Sequence, residues 1–246
     1  MTTILRAYTR AVRSLLQRSV LAHFLWPMLV ATAAWVTIGI LFWERLARIF
    51  AAFARHYLPL AAARRDLAEH ALATSLKIAL YLMSIPLTVV TTIFLVEIVA
   101  LPFILDHVSK RDYPYLEVRH GGSQWQSLRN TLLSSAIAAA ITIVALPLWL
   151  LPGIGVVISL ALSAWLNYRS FRYDVLMKHA DAVELVGLPA SHRKRLLLLS
   201  LGASLISLVP GAILFAVPFV GLSFVHYLLP ALERSREQTV HANLPR

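Results

Sequence analysis

The chain alternates between long apolar blocks and short polar segments. The blocks run from Val20 to Trp43, Ile78 to Leu105, Thr131 to Leu166 and Leu196 to Pro230. About 20 consecutive apolar residues are enough for a helix to cross the hydrocarbon core of a bilayer. The first two blocks therefore predict two long transmembrane helices.

The third and fourth blocks are too long for one span and carry helix breakers near their centres. The third block contains 36 residues without a charge, whereas a straight helix of about 35 residues would be about 52 Å long, against a core of about 30 Å. Each block repeats a P-x-x-G pattern. The prolines and glycines at these breaks are Pro147, Pro152, Gly153 and Gly155 in the third block, and Pro210, Gly211, Pro218 and Gly221 in the fourth. The pattern predicts two re-entrant helix hairpins with their turns at these residues.

The segment after the first block has a helical apolar period. Arginines occupy another face, so the first long helix is expected to continue as an amphipathic extension and to break near Pro59. The apolar positions are Leu46, Ile49, Phe50, Phe53 and Tyr57.

Composition places the chain in a membrane. Of its 246 residues, 59% are hydrophobic and 14% are charged, and the mean hydropathy is +0.70; soluble domains have about 25% charged residues. We therefore expect residues 1–246 to form a single integral-membrane domain of all-α class. The chain has no cysteine, which excludes thiol chemistry, disulfides and Cys-ligated zinc.

The net charge of +11 is scattered between the apolar blocks. This distribution favours contact with anionic lipids over nucleic-acid binding. If the last two blocks are hairpins, 17 Lys and Arg residues lie on one side of the membrane and 6 on the other; if every block crosses once, the division is 11 to 12. The positive-inside rule then predicts two cytoplasmic termini.

Candidate chemistry is sparse. No G-x-S-x-G, H-E-x-x-H or phosphate-loop motif occurs, so we predict neither an enzyme nor a cofactor or metal site. The breaks offer backbone N–H groups at helix starts, where glycine lets an anion approach. The candidate anion-binding residues there are Gly153, Gly155, Gly211 and Gly221. The alternative is that these residues only form the turns.

Three charged residues near or inside the apolar blocks are further candidates for a functional role. Arg169 and Arg172 follow the third block beside Asp174, where they would collect anions at a pore mouth or extend to lipid headgroups. Glu97 is the acid within a spanning block. It is a candidate for ion coupling, with a paired structural role as the alternative.

Four stretches together resemble the CysZ and etoposide-induced-protein family of membrane proteins. They are VALPFILDHVSK from Val99 to Lys110, the Pro-Gly break followed by SAWL, FRYDVLMKHAD from Phe171 to Asp181, and the final proline-rich hairpin. The resemblance implies two long transmembrane helices, two hemi-penetrating helix pairs and assembly into homo-oligomers. Family permeases carry a Gly-Leu-Arg-Arg-like stretch before the first proline of the first long helix; here Ser19 to Pro27 reads SVLAHFLWP, without glycine or paired arginines.

The function predicted from these observations is an anion permease, with sulfate as a candidate anion. Membrane lipids, a small inorganic anion and further copies of the chain are its expected partners. We expect the bacterial inner membrane as its location, rather than a mitochondrial one. The alternative function is a membrane scaffold, assembly factor or lipid-interacting protein that uses the same fold without transport.

Overall fold

The computed structural model describes residues 2–57, 65–209 and 212–242. Most of these residues are helical and none of them lies in a strand; the longest irregular segment among them is 113–123. The prediction of an all-α protein is thus confirmed. Pro59, Pro210 and Gly211 lie outside the described residues.

The first half of the chain contains four α-helices, and a π-helical segment joins the third to the fourth. They are α1 (Thr2–Leu15), α2 (Arg18–Tyr57), α3 (Arg65–Leu95), a π-helix (Val96–Ala100) and α4 (Leu101–Asp112). The predicted extension of the first long helix is present, because α2 continues without a break through Trp43 to Tyr57.

Two helix pairs make up most of the second half of the chain. The elements are α5 (Gln124–Ala145), a 3-10 helix (Leu146–Leu150), α6 (Ile154–Leu176), α7 (Ala182–Ser191), α8 (Arg193–Ser204), a 3-10 helix (Leu205–Leu208) and α9 (Ile213–Ala242).

Five helical segments in the described ranges are long and apolar enough to cross a membrane. They are Arg18–Phe50, Ala73–Asp112, Gln124–Leu150, Ile154–Leu176 and Phe215–Thr239. The third block contributes two of these segments, because its two helices extend beyond the charge-free residues. Helix α5 begins earlier, at Gln124, and helix α6 ends later, at Leu176. Each arm is then about 35–40 Å long, enough to cross the hydrocarbon core.

The P-x-x-G pattern of the fourth block does not form the turn that the sequence predicts. Pro218 and Gly221 were expected at the turn, but both lie inside the continuous helix α9. The preceding 3-10 helix ends at Leu208 and α9 begins at Ile213, on either side of the other predicted break residues, Pro210 and Gly211. Pro218 is buried against protein, and a buried proline can be accommodated in a membrane helix because its neighbours satisfy the freed backbone groups.

The chain divides into two compact units, one of residues 1–21 and 101–246 and one of residues 22–100. The second unit consists of most of α2 together with α3 and the π-helix. Its two long helices are held together by a hydrogen bond from Trp35 Nε1 to Thr91 Oγ1 of 3.0 Å and by the tilted pair Trp43 and Tyr81.

Helix α9 is the centre of the first unit. It packs against α1, α4, α6 and α8, and 83% of its most apolar window is buried, compared with 17% for the windows of α5 and α6. Gly221 makes this packing close: a Cβ built there would lie 3.0 Å from Leu101 Cδ1 and 3.2 Å from Leu105 Cδ2 and Phe171 Cε1. Small residues allow helices to approach in this way where lipid supplies no hydrophobic driving force.

One end of the first unit is held by an ion-pair network, which we call the polar end. Arg236 donates from Nη2 to Glu184 Oε2 and to the carbonyl oxygen of His179, both at 2.7 Å. Its Nη1 donates to the carbonyl oxygen of Glu117 at 3.1 Å. The network brings the segment after α4, the segment before α7 and the C-terminal part of α9 to the same end of this unit.

Glu184 and Asp181, at the polar end, have lowered pKa values. The hydrogen bond from Arg236 is the main cause that lowers the pKa of the Glu184 carboxyl. Glu184 also closes a capping box at the start of α7, because Asp181 accepts from the Glu184 backbone N–H at 2.8 Å while Glu184 Oε2 accepts from the Asp181 N–H at 2.9 Å. That backbone N–H is the main cause that lowers the pKa of Asp181.

We predict that Gly221→Leu destabilises the protein by about 1–3 kcal/mol, because the larger side chain overpacks the contact of α9 with α4 and α6. The matched control is Gly187→Ala on α7, where an added Cβ meets nothing within 4 Å. That substitution should stabilise by about 0.5–1 kcal/mol through helix propensity. Thermal unfolding in detergent measures both; a Gly221→Leu variant as stable as wild type would contradict the close packing.

We predict that Glu184→Gln lowers stability at pH 7 by about 2 kcal/mol, because it removes a charge-assisted hydrogen bond to Arg236. The pKa of Glu184 is lower in the folded protein than its ordinary value of 4.5. Its stabilising effect is therefore complete above pH 4.5 and is lost as the pH falls through the folded-state pKa. The difference from wild type should shrink over that range in melting curves, whereas Glu117→Gln at an exposed ion pair should have little effect at any pH.

Candidate functional site

The turn between α5 and α6 contains the two glycines predicted for the third block. Gly153 has a φ of +84°, a left-handed conformation that favours glycine, and it precedes the first residue of α6. Gly155 lies in the first turn of α6, where a Cβ would be 3.4 Å from Trp149 Cγ, at the edge of ordinary contact. The turn thus requires glycine at position 153 for its left-handed backbone conformation. At position 155, glycine allows the start of α6 to lie close to Trp149.

Polar side chains join α5 to α6 at the end far from this turn. Asn130 Nδ2 donates to the Arg169 carbonyl oxygen at 3.0 Å, and Arg169 Nε donates to Asn130 Oδ1 at 3.2 Å. Ser127 donates to Asp174 one helical turn further along. These contacts fix the register of two antiparallel helices that otherwise present apolar surface.

Arg169 and Arg172 lie three residues apart on α6 and are brought together on neighbouring positions of the helix. Arg172 Nη1 donates to Tyr168 Oη at 2.9 Å, and its guanidinium lies 4.8 Å from the Tyr168 ring centroid. The Arg169 guanidinium lies 5.5 Å from the Trp165 ring centroid. The partners that the structure gives to both guanidinium groups are neutral amide, phenol and aromatic groups.

The remaining predicted residues do not join the arginines. Gly153 is 16 residues from Arg169, about 24 Å along α6. Gly221 lies close to Phe171 of α6, but it is inside α9 and packs against apolar side chains. Glu97 is exposed in the π-helix between α3 and α4. Such π-helical turns occur frequently at functional sites.

A polar seam between α6 and α8 was missed by the sequence analysis. Ser163 Oγ donates to Ser204 Oγ at 3.2 Å, and Asn167 Nδ2 donates to the same oxygen at 3.1 Å. Ser204 in turn donates to the Ser200 carbonyl oxygen at 2.9 Å. The spacing of Ser163 and Asn167 by four residues could have indicated a polar helix face, although their partner on α8 is 41 and 37 residues away in sequence, respectively.

A second buried cluster surrounds His226 on α9. The Ser14 hydroxyl is 2.9 Å from His226 Nε2, and the Tyr113 hydroxyl is 3.1 Å from His226 Nδ1. Burial raises the pKa of Tyr113 to about 12, so its phenol keeps its proton. Asp112 is 3.9 Å from the same His226 nitrogen as Ser14, which differs from a Ser-His-Asp triad, where acid and serine bind opposite ring nitrogens. The cluster therefore satisfies buried polar groups and gives no arrangement for nucleophilic catalysis.

Comparison with known proteins agrees with this membrane architecture. The family model for "Sulfate transporter CysZ/Etoposide-induced protein 2.4" matches residues 7–218, which covers most of the chain. No curated protein and no solved structure gives a match. The match extends from α1 into the first turns of α9, and so includes the whole of the first helix pair and α8 with the start of α9 from the second. The chain therefore belongs to the sulfate transporter CysZ/etoposide-induced protein 2.4 family of membrane proteins.

Proposed function

We propose that the chain is an anion permease of the bacterial inner membrane, with sulfate as the first anion to test. The observation that carries this proposal is the pair Arg169 and Arg172, two guanidinium groups with neutral partners on a helix long enough to span the membrane. Charged groups in such helices are costly and generally serve a function.

The chemistry of the pair suits an oxyanion. Each guanidinium carries five N–H donors, and the planar fork of donors matches two oxygens of a sulfate or similar anion. Because Asn130 and Tyr168 hold the side chains without neutralising them, both positive charges remain to attract an anion. A lysine would supply the charge but not the two-donor geometry.

Further donors continue along α6 from the arginines toward its first turn. Asn167 comes next, with one of its two amide hydrogens given to Ser204, and at the start of the helix lie the backbone N–H groups around Gly153 and Gly155. The N-terminal end of a helix also carries a partial positive charge. We propose that an anion moves between these two ends of α6, first bound by the arginines and then by the helix start.

Of the other residues predicted from the sequence, one is excluded from the proposed site, one is untested and one is kept. Gly221 is left out, because its helix interior position and apolar neighbours offer no anion site. Gly211 lies outside the described residues and stays a prediction. Glu97 remains the proposed coupling group, supported by its exposed position in a π-helical turn. If a Glu97→Gln variant takes up the anion with the same response to a proton gradient as wild type, Glu97 is not the coupling group.

The alternative function is a membrane scaffold or lipid-interacting protein. Arginines near the end of α6 would then extend to phospholipid headgroups instead of binding a transported ion. The large exposed apolar surface of α5 and α6 is compatible with this alternative, since only 17% of each window is buried. Anion uptake separates the two functions, because a scaffold gives uptake no higher than empty vesicles.

We predict that Arg169→Gln and Arg172→Gln each reduce uptake of labelled sulfate into proteoliposomes by about tenfold or more, since hydrogen bonds to charged groups contribute about 1.5–3 kcal/mol. Arg193→Gln, at an exposed position at the start of α8, is the matched control and should keep wild-type uptake. Gly155→Ala fits beside Trp149 and should also reduce uptake, because its methyl group hinders approach to the backbone N–H groups.

Uptake is compared at equal amounts of folded protein, measured by size-exclusion chromatography. Loss of uptake in proportion to loss of folded protein would assign the arginines a structural role. Uptake unaffected by Gly155→Ala would remove the helix start from the path while leaving the arginine pair in it. If wild-type protein moves other anions but not sulfate, the permease function stands and the substrate changes.

We predict that both termini and the segment 167–195 are on the cytoplasmic side, as the division of 17 to 6 basic residues indicates. The contacts of Arg236 with Glu184 and His179 support a common side for the C-terminal part of α9 and this segment. Because the chain has no native cysteine, Ser191→Cys gives a single labelling site. It should resist a membrane-impermeant maleimide in intact cells and react after permeabilisation; the reverse pattern contradicts the orientation.

A further inference from the structure

The second unit contains an open groove between α2 and α3. Its volume is about 370 Å³, within the range of roughly 300–1,000 Å³ found for ligand pockets. Gly39 is buried at its floor, beside Trp43 and Tyr81. The other lining residues are Thr32, Trp35, Val36, Ile40, Ser84, Ile85, Thr88 and Val89.

The groove presents an apolar surface even at its polar residues, because their donors are used within the protein. The hydroxyl groups of Thr32, Ser84 and Thr88 donate to carbonyl oxygens of their own helices at 2.7–2.8 Å. Trp35 Nε1 likewise donates to Thr91. These donors are already used, so the groove presents mainly carbon to an occupant and suits a hydrocarbon chain better than a polar ligand.

The length of the groove matches one leaflet of a bilayer. Thr32 and Trp43, at its two ends, are 11 residues apart on α2, about 16 Å along the helix axis. Half of a hydrocarbon core of about 30 Å is about 15 Å. Both helices lie in segments with membrane-spanning length and composition, and most of their surface is exposed.

A charged collar lies next to the Trp43 and Tyr81 end of the groove. It consists of Glu44, Arg45, Arg48 and Lys77, three cations and one anion. Lys77 Nζ is 3.3 Å from Glu44 Oε1, and Arg48 Nε donates to the Glu44 carbonyl oxygen at 3.3 Å. Tryptophan and tyrosine beside basic residues are typical of the level where hydrocarbon meets headgroups. The collar carries a net positive charge at the depth where a lipid phosphate would lie.

We propose that this groove binds an anionic phospholipid, with one acyl chain between α2 and α3 and the phosphate at the collar. The apolar lining and leaflet length select the chain, and the excess of cations selects the headgroup. Gly39 keeps the floor open, because any larger side chain there would project into the space of the chain. The site lies in the second unit and is independent of the anion path proposed along α6.

The test measures lipid retained by the purified full-length protein after equilibration with equal amounts of phosphatidylglycerol and phosphatidylcholine of identical chains. Native mass spectrometry counts each lipid. Wild type should retain phosphatidylglycerol preferentially. Gly39→Leu should lower retention of both lipids by about tenfold or more, since its added carbons displace several methylene groups. A Cβ built at Gly39 would lie 3.9 Å from Tyr81 Cε1, an ordinary contact distance, so the substitution does not require the backbone to move. Gly187→Leu, at an open position on α7, is the control and should retain lipid as wild type does.

Charge variants test the headgroup part separately. Replacing both Lys77 and Arg48 with glutamine should bring the ratio of phosphatidylglycerol to phosphatidylcholine close to one, with the total retained less affected. Glu44→Gln removes the one acid of the collar and should raise that ratio. Opposite shifts from the two variants would support recognition of the phosphate by charge.

Several results would overturn the proposal. Wild-type retention in Gly39→Leu would show that lipid binds elsewhere, and equal retention of the two lipids by wild type would exclude selection of an anionic headgroup. A second copy of the chain is the competing occupant. Ile40→Cys places a thiol on the exposed rim, and efficient disulfide-linked dimers in lipid vesicles would assign the groove to that contact. If Gly39→Leu reduces folded protein, Thr32→Phe obstructs the far end of the groove from an exposed position and must give the same loss of lipid.

Discussion

The packing of four helices around α9 is the interaction on which the arrangement of the first unit depends. In lipid, apolar helices gain little from leaving their solvent, so close van der Waals contact and hydrogen bonds hold them together. Gly221 supplies the close contact, with Leu101, Leu105 and Phe171 from two other helices at its surface. Buried hydroxyls such as Ser223, which donates to the Phe219 carbonyl oxygen at 2.7 Å, add polar groups without unpaired donors. The helices around α9 can then expose apolar surface on their other sides.

The polar end determines how the chain returns after each helix pair. Arg236 contacts three segments that are far apart in sequence, and Glu184 connects the same arginine to the cap of α7. A charged network of this kind is stable in water or among headgroups and costly in hydrocarbon. It therefore specifies one end of the first unit as the end outside the apolar layer. The polar contacts of α6 follow the same logic, since Arg169 and Asp174 lie toward this end and the charge-free turn lies at the other.

The two proposed binding sites use different chemistry for different ligands. Along α6, guanidinium, amide and backbone N–H groups offer donors to an inorganic anion. Between α2 and α3, the hydroxyls donate to their own helices and leave a carbon surface for a lipid chain. The family match supports a sulfate-transporter-like membrane protein. The arginines on α6 are the proposed anion-binding group of a chain that lacks the Gly-Leu-Arg-Arg-like stretch of family permeases.

The apolar blocks alone determined that this protein is helical and membrane-embedded, and where the third block breaks. A run of 36 uncharged residues has no stable place in water, and Gly153 at its break has a left-handed backbone conformation that favours glycine. These features are local, so sequence reveals them. Pro218 and Gly221 were wrongly assigned to the second break because proline and glycine have two uses: here they lie inside α9, where Gly221 packs closely against neighbours from α4 and α6. Only the tertiary structure could give Ser163 and Asn167 a partner on α8, or His226 its contacts with Ser14 and Tyr113. Those partners come from distant parts of the chain, and no periodicity along one helix encodes which other helix will lie beside it.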